Sequence, residues 1–389
     1  MIISPASRIQ DVHEYYFSRK LEQIRRLNDQ GRDVVNLGIG SPDLPPADEA
    51  VQATVRAIQS PANHGYAPYR STPALRSAIA GWYASTYSVR ADSETQVLPL
   101  LGSKEGLFYI SMAFLNPGDK VLVPNPGYPA YSGVTRLAGA EPVPYDLDEN
   151  NHWWPDFKAL ASPATDLRGV KLMWVNYPHM PTGASAQPEL FRRLVEFGRE
   201  HGILICHDNP YGLVLNSEAP MSLLSFDPGF QVSLELNSFS KSFNMAGWRV
   251  GMMIAGAEAV EAVLKVKSNV DSGMFLPLQS GAIQALRAPA VWHAERNRTY
   301  AARRELVWRL LDRMGFQYGR EQVGMFVWAK APDSVANVEK FLDEILDRAA
   351  VFITPGHIFG SRGKRYARAS LCAPEPRLEQ ALARVEKAL

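Results

Sequence analysis

The sequence predicts an α/β protein: a mostly parallel sheet sandwiched between helices, with a smaller α+β unit beside it. Two patterns carry this expectation. Through the middle of the chain, short apolar runs alternate with helix-length amphipathic segments, as parallel strands buried on both faces require. From about residue 291 the alternation gives way to one long charged helix, a strand, a second helix and a last strand–helix pair. A chain of 389 residues, 46% hydrophobic and 21% charged, is long enough for one large domain and a smaller one.

The strands follow in order. TQVLPLL (95–101), KVLVP (120–124), KLMWVNY (171–177), ILICHD (203–208), QVSLELNS (231–238) and RVGMMIA (249–255) are short and apolar. Between them PELFRRLVEFGREHG (188–202) sets Leu190, Phe191, Leu194 and Phe197 at helical spacing, with Gly202 placed to end the helix. Later, VWHAERNRTYAARRELVWRLLDRMG reads as one helix leading to the strand GMFVWAKAP and a helix over 336–349. The Pro-rich segment 40–50 is the candidate hinge, closing the small domain about Pro42 to Pro46. The expected division is residues 1–45 as an N-terminal arm and part of the small domain, 46–285 as the large domain, and 286–389 as the small C-terminal domain. No internal repeat interrupts this plan.

Composition narrows the partners. Forty-one basic against 40 acidic residues leave no electrostatic footprint for nucleic acid or an anionic membrane, so small molecules or copies of the chain itself are expected. Cys206 and Cys372 are the two cysteines, too few for a disulfide framework and without metal-ligand spacing. No metal site, signal segment or membrane span is expected, and a cytoplasmic location fits.

The chemistry concentrates in LNSFSKSFNMAGWRVG (236–251). Ser238, Ser240 and Arg249 offer two hydroxyls and a guanidinium fork, the donors a phosphate dianion needs, and Lys241 among them can close a Schiff base with an aldehyde. Gly102, Ser103 and Lys104 follow a strand and open the helix KEGLFYISMAFL, where backbone N–H groups meet an anion. Asp208 ends a strand, at the edge where open α/β sheets bind ligands.

The run around Lys241 resembles the lysine signature of the class I and II aminotransferases, the fold type I pyridoxal phosphate enzymes. The resemblance extends from about residue 33 to the C-terminus and implies a large α/β/α domain of the seven-stranded type. It implies pyridoxal 5′-phosphate as cofactor, with Ser103, Lys104, Ser238, Ser240 and Arg249 on its phosphate and Tyr128 stacked on its ring. Asp208 would pair with the ring nitrogen, and Tyr211 would face the phenolic oxygen. Arg368 in YARAS would hold the substrate α-carboxylate; Arg304, Arg362, Lys364 and Arg365 are the competing basic residues. Gly40 would bring backbone close to the substrate. Tyr66 would reach the phosphate of a neighbouring subunit, which implies a homodimer.

Two positions depart from the family pattern. Met180 stands in NYPHMPTGA where the family has an asparagine that donates to the phenolic oxygen. A thioether cannot donate, so the lysine–cofactor linkage is expected to have a raised pKa, unless Asn176 takes over the contact. Ser71 stands where glycine is usual. If that position has positive φ, serine costs of order 1 kcal/mol there.

The implied reaction is amino transfer by a ping-pong mechanism. Lys241 acts as anchor and then as general acid/base, an L-amino acid leaves as a 2-oxo acid, and a second oxo acid takes the amino group. The same scaffold also serves carbon–sulfur β-lyases and, less in keeping with an intact lysine, non-catalytic regulator domains. Tyr15, Tyr16, Phe17 and Tyr69 are candidates for an apolar side-chain pocket, and the motifs leave the donor open among diaminopimelate, alanine, methionine and aromatic amino acids.

Overall fold

A computed structural model describes residues 3–10, 16–162 and 165–389. Tyr15 lies outside the described residues. Twelve strands occur among them: β1 Val35–Asn36, β2 Val97–Leu100, β3 Lys120–Asn125, β4 Glu141–Asp146, β5 Val170–Val175, β6 Leu204–Asp208, β7 Ser233–Ser238, β8 Gly251–Ile254, β9 Phe326–Lys330, β10 Val351–Phe352, β11 Thr354–Pro355 and β12 Tyr366–Ser370.

Seven of them form one sheet in the order β2-β8-β7-β6-β5-β3-β4. β8 runs antiparallel to both its neighbours, and every other pairing is parallel. The central strands alternate between two cores. Leu172 and Trp174 of β5 face Tyr131, Val134 and Ile110 on one side, while Met173 and Val175 face Leu190, Phe191 and Leu194 on the other. All four β5 side chains are at most 1% exposed, so a continuous apolar run is what the position demands.

Six of the seven strands coincide with the apolar runs read from the sequence. The seventh, β4, escapes that reading because EPVPYD carries two prolines and is largely solvent-facing. Its place at the sheet edge explains both, since proline cannot donate to a second neighbour. The helix Pro188–His201 ends as expected, with Gly202 at φ 65° as a left-handed cap.

A second sheet, β11-β12-β9, is antiparallel throughout. It packs with helices Ala290–Arg313, Val338–Ala349 and Glu375–Ala388 and with Phe17 in a separate core. β1 pairs in parallel with β10, which ties the N-terminal segment to this C-terminal unit. The candidate hinge is irregular backbone, but it is anchored: Arg303 Nη1 and Nη2 donate to both carboxylate oxygens of Asp43 at 2.6 and 2.8 Å. No described helix is long and apolar enough to cross a membrane.

Ser71 closes a turn by donating its N–H to the carbonyl of Pro68 at 2.7 Å, and its φ is 60°. The side chain is buried and its hydroxyl has no hydrogen-bond partner. Both facts penalise serine at this position. Ser71→Gly is expected to stabilise the fold by about 1 kcal/mol, read as a higher midpoint in urea unfolding. An unchanged or lower midpoint would mean that the turn tolerates serine without strain.

Candidate active site

The parallel strands end along one edge of the large sheet, and a cavity of about 580 Å³ opens there against the smaller sheet. One end of it is an anion cup. Helix Ser103–Phe114 presents its N-terminus, and Ser238, Ser240, Lys104 and Arg249 line the same wall. Gly102, at φ 94°, admits the guanidinium: a Cβ there would lie 2.1 Å from Arg249 Nη2. Arg249 itself sits in the left-handed region at φ 56°, strain that the surrounding contacts hold in place. It donates to Ser240 Oγ at 3.3 Å and to the carbonyl of Ala246 at 2.9 Å. Burial, and secondarily Arg249, lowers the pKa of Lys104.

Asp208 stands at the end of β6, 5% exposed. Its Oδ2 accepts from Tyr131 at 2.9 Å, while Oδ1 is buried with no protein partner. Burial raises its pKa to about 6, against the lowering effect of the Tyr131 hydrogen bond. Tyr131 is not among the residues singled out from the sequence. It lies three residues beyond Tyr128 in NPGYPAY, and that helical offset, which sets the two rings 5.6 Å apart, was the available signal. Its ring stacks on Trp174 at 5.3 Å and 6°.

Lys241 follows β7 and donates to the carbonyl of Gly40. Burial lowers its pKa to about 8; Arg368 and Arg249 push the same way, and Cys372 opposes them. The backbone at Gly40 closely approaches the Phe326 ring: a Cβ there would fall 2.1 Å from it, so any larger residue would have to displace that ring.

Arg368 comes from β12, in the other sheet. It donates to the carbonyl of Gly38 at 2.7 Å and to Met180 Sδ at 3.1 Å. Phe326, Phe359 and Phe17 surround its guanidinium, with ring centroids 3.9, 4.6 and 5.3 Å away. This aromatic surround was invisible in the sequence, since the rings come from three separate segments. Asn176 lines the cavity with both ends of its amide engaged: Nδ2 donates to the carbonyl of Asp208 at 2.6 Å and Oδ1 accepts from Met180 N at 2.8 Å. Tyr128 and Tyr211 complete the lining.

Of the residues that the family resemblance assigns to cofactor or substrate, all meet in this cavity except Tyr66, which is 92% exposed outside it. Of the aromatic candidates, Phe17 lines the cavity. Tyr16 packs edge-on against Phe17, and Tyr69 is 45% exposed outside the lining.

An anion cup at one end, an orphan buried carboxylate oxygen in the floor, a depressed lysine and a caged arginine define the class: an α/β enzyme for a phosphate-bearing, carbanion-stabilising cofactor and a carboxylate substrate. The comparisons with known proteins agree. The family described as aminotransferase class I and II matches residues 32–385. LL-diaminopimelate aminotransferase of Desulforudis audaxviator (strain MP104C) is 41% identical over 385 residues, covering 99% of this chain and 97% of that one. The substrate-bound structure of BacF from Bacillus subtillis superimposes with a TM-score of 0.93 at 36% identity, covering 100% of this chain and 98% of that chain. A probable N-succinyldiaminopimelate aminotransferase from Thermus thermophilus gives a TM-score of 0.87 at 31% identity, over 96% and 100% of the two chains.

The chain belongs to the class I and II aminotransferases. It is a pyridoxal phosphate-dependent enzyme that moves an amino group between amino and 2-oxo acids. The residues present fit that cofactor: the cup has donors for a phosphate, and the unpartnered Asp208 Oδ1 is a ready acceptor for a protonated ring nitrogen.

The charge environment of Lys241 is open to a direct test. Because Arg368 disfavours the ammonium form, Arg368→Gln should move the Lys241 pKa upward from about 8. The pH dependence of competitive acylation of the cofactor-free protein, read by mass spectrometry, measures it; no upward shift would mean that Arg368 does not act on Lys241.

Proposed function

We propose that Lys241 anchors the cofactor and moves the proton at the substrate Cα, with Asp208 on the ring nitrogen and Arg368 on the substrate α-carboxylate. The observation that carries this reading is the convergence of these three side chains, from two different sheets, in one cavity with an anion cup at its far end. Bound pyridoxal phosphate supplies an electron sink for a carbanion at Cα. Ser103, Lys104, Ser238, Ser240 and Arg249 would hold its phosphate. Tyr128 would cover the ring, and Tyr211 would donate to the phenolic oxygen. Lys241, whose pKa burial lowers to about 8, is suited to take and return a proton. Arg368 pins the carboxylate and so keeps decarboxylation from competing.

Gly40, whose carbonyl accepts from Lys241, brings backbone to the substrate. Asn176 acts by bracing the Met180 loop against Asp208. The exposure of Tyr66 fits a residue completing the phosphate site of a second copy, which makes the working unit a homodimer. In this reading residues 46–285 are the cofactor domain, 286–389 the smaller domain, and 1–45 an N-terminal arm and part of that smaller domain. The unbridged Cys206 and Cys372 suit a reducing, cytoplasmic setting.

The first test adds single L-amino acids and then a 2-oxo acid to the purified holoenzyme. Loss and return of the cofactor's visible band supports amino transfer, whereas accumulation of pyruvate and ammonia would favour a β-lyase. Lys241→Ala should lower turnover by about 10²–10⁴-fold or more. Turnover near wild type would remove Lys241 from the mechanism.

Tyr131→Phe gives a pH test of the Asp208 assignment. Removing a hydrogen bond that favours the carboxylate raises the Asp208 pKa, so the charge that pairs with the ring is lost at higher pH. Cofactor affinity should weaken by about tenfold, the worth of one charge-assisted hydrogen bond, and its acid-side decline should move to higher pH. A uniform loss with no shift in the pH profile would make Tyr131 a packing residue only.

A further inference from the structure

We infer that His207 is a positioning residue for amino transfer: it carries a proton on each ring nitrogen and fastens to the large sheet the loop that links Asp208 to Arg368. The inference rests on the roles proposed for those two residues. His207 stands in β6 beside Val175 of β5 and Glu235 of β7. Both His207 and Glu235 are 0% exposed, so they lie within the protomer, out of reach of solvent or a second copy. Phe191 packs on the imidazole at 5.0 Å and 64°, which fixes the plane of the ring.

Each ring nitrogen faces an oxygen. Nε2 lies 2.8 Å from the carbonyl of Tyr177, and Nδ1 lies 2.7 Å from Oε2 of Glu235. A bare ring nitrogen so close to a carbonyl oxygen would set two lone pairs against each other, so Nε2 carries a proton. Tyr177 N also approaches Nε2, at 3.4 Å, but the shorter contact defines the donor. The second proton follows from the other partners of Glu235. Asn209 Nδ2 and Tyr83 donate to its Oε1 at 3.3 and 2.9 Å, and Leu223 N and Ser222 Oγ to its Oε2 at 3.2 and 2.7 Å. Ser222 Oγ itself accepts from Leu224 N, which leaves its proton for Glu235. With donors already on both oxygens Glu235 is an acceptor throughout, and the proton between it and Nδ1 belongs to the ring.

The carbonyl that His207 holds lies on a short path to both ends of the site. Asn176, one residue before Tyr177, donates from Nδ2 to the carbonyl of Asp208 at 2.6 Å and accepts from Met180 N at 2.8 Å. Met180 Sδ in turn accepts from Arg368 Nη1 at 3.1 Å. The loop 176–180 thus touches the backbone of Asp208 at one end and the guanidinium of Arg368 at the other. His207 is the chain neighbour of Asp208 and bonds to the middle of that loop. A ring protonated on both nitrogens makes this bond charge-assisted, roughly twice as strong as a neutral donor would.

Two substitutions separate the two bonds of the ring. Asparagine places its amide nitrogen where Nδ1 stands and glutamine places it where Nε2 stands. His207→Asn therefore keeps the Glu235 bond and loses the tie to Tyr177, whereas His207→Gln does the reverse. Each leaves one buried group short of a partner, so each lowers the unfolding midpoint. The readout is the single-turnover half-reaction of the holoenzyme, followed by the cofactor's visible absorbance, with L-alanine, L-glutamate, L-phenylalanine and LL-diaminopimelate as donors. For the donor that reacts fastest with the wild type, His207→Asn should raise the half-saturating concentration about threefold to tenfold, a part of what one charge-assisted hydrogen bond is worth, and His207→Gln should leave it within about twofold. Equal losses in the two variants, or losses that follow the unfolding midpoint, would reduce His207 to packing and overturn the inference while the aminotransferase reading stands. No half-reaction of the wild type with any of the four would bring down that reading, and the inference with it.

The ring protons are read in the wild type, whether or not the variants fold. In the magnetic resonance spectrum of holoenzyme with isotope-labelled histidine nitrogens, His207 should show two ring N–H protons protected from exchange. His179 and His293, whose pKa values burial lowers to about 3 and about 4, carry one at most. A spectrum in which no histidine has two protected ring protons would overturn the inference.

Discussion

A carboxylate buried at the end of a central strand is the constraint on which the rest of this site depends. Desolvating an unpaired charge costs several kcal/mol, so Asp208 is tolerable only if its surroundings supply partners. Tyr131 supplies one, and its own position is fixed by the stack on Trp174. The neighbouring strand shows what full satisfaction looks like. Glu235 of β7 pairs in register with His207, one residue before Asp208, and is wholly buried. It accepts from His207 Nδ1 at 2.7 Å, Ser222 Oγ at 2.7 Å and Tyr83 at 2.9 Å. Two buried acids thus lie side by side with opposite accounts. Glu235 is closed off by protein donors and is structural, whereas Asp208 keeps one oxygen open toward the cavity, as an acid reserved for a ligand would.

The second dependence runs between the sheets. Asp208 ends a strand of the large sheet, Lys241 lies in the short helix Phe239–Ser242 that follows β7, and Arg368 belongs to the small sheet, so the distance between the proton-moving group and the carboxylate clamp is set by how the two units seat. The seam is tied at several points: Lys241 to the carbonyl of Gly40, Arg368 to that of Gly38, Asn244 Nδ2 to that of Pro45 at 3.1 Å, and Arg303 to Asp43. All four ties involve the stretch from Gly38 to Pro45. The Pro-rich segment read as a hinge is therefore also the strap that carries the geometry of one sheet to the other. Any closing motion has to keep these ties or exchange them for equivalent ones.

Most of this was legible because parallel strands and helix starts leave local signatures. The apolar runs of β5 to β8, the glycine ending the helix at His201, and the lysine–arginine run after β7 each depend on a few neighbouring residues. What escaped depends on distance. β4 was hidden by its prolines, which an edge strand accepts and a central one does not. Tyr131 could be counted from Tyr128, but its partner Asp208 lies 77 residues away. The rings around Arg368 come from positions 17, 326 and 359, and no local pattern links them. Phe17 was one of four aromatic candidates, and only packing separates it from Tyr69.

Met180 shows how a local departure and a long-range contact explain each other. Read from the sequence, a thioether in place of an amide is a missing donor near the cofactor. In the fold, the sulfur faces Arg368 Nη1 at 3.1 Å, and the backbone N–H of Met180 is held by Asn176. Asn176 spends one Nδ2–H on the carbonyl of Asp208 and its Oδ1 on the Met180 N–H, so any donation to the cofactor falls to its second Nδ2–H. In the proposed arrangement the phenolic side of the cofactor relies on Tyr211. The arginine in turn sits among three phenyl rings and a sulfur, partners that shield its charge from water. A guanidinium in so apolar a setting attracts a substrate carboxylate more strongly than one in water.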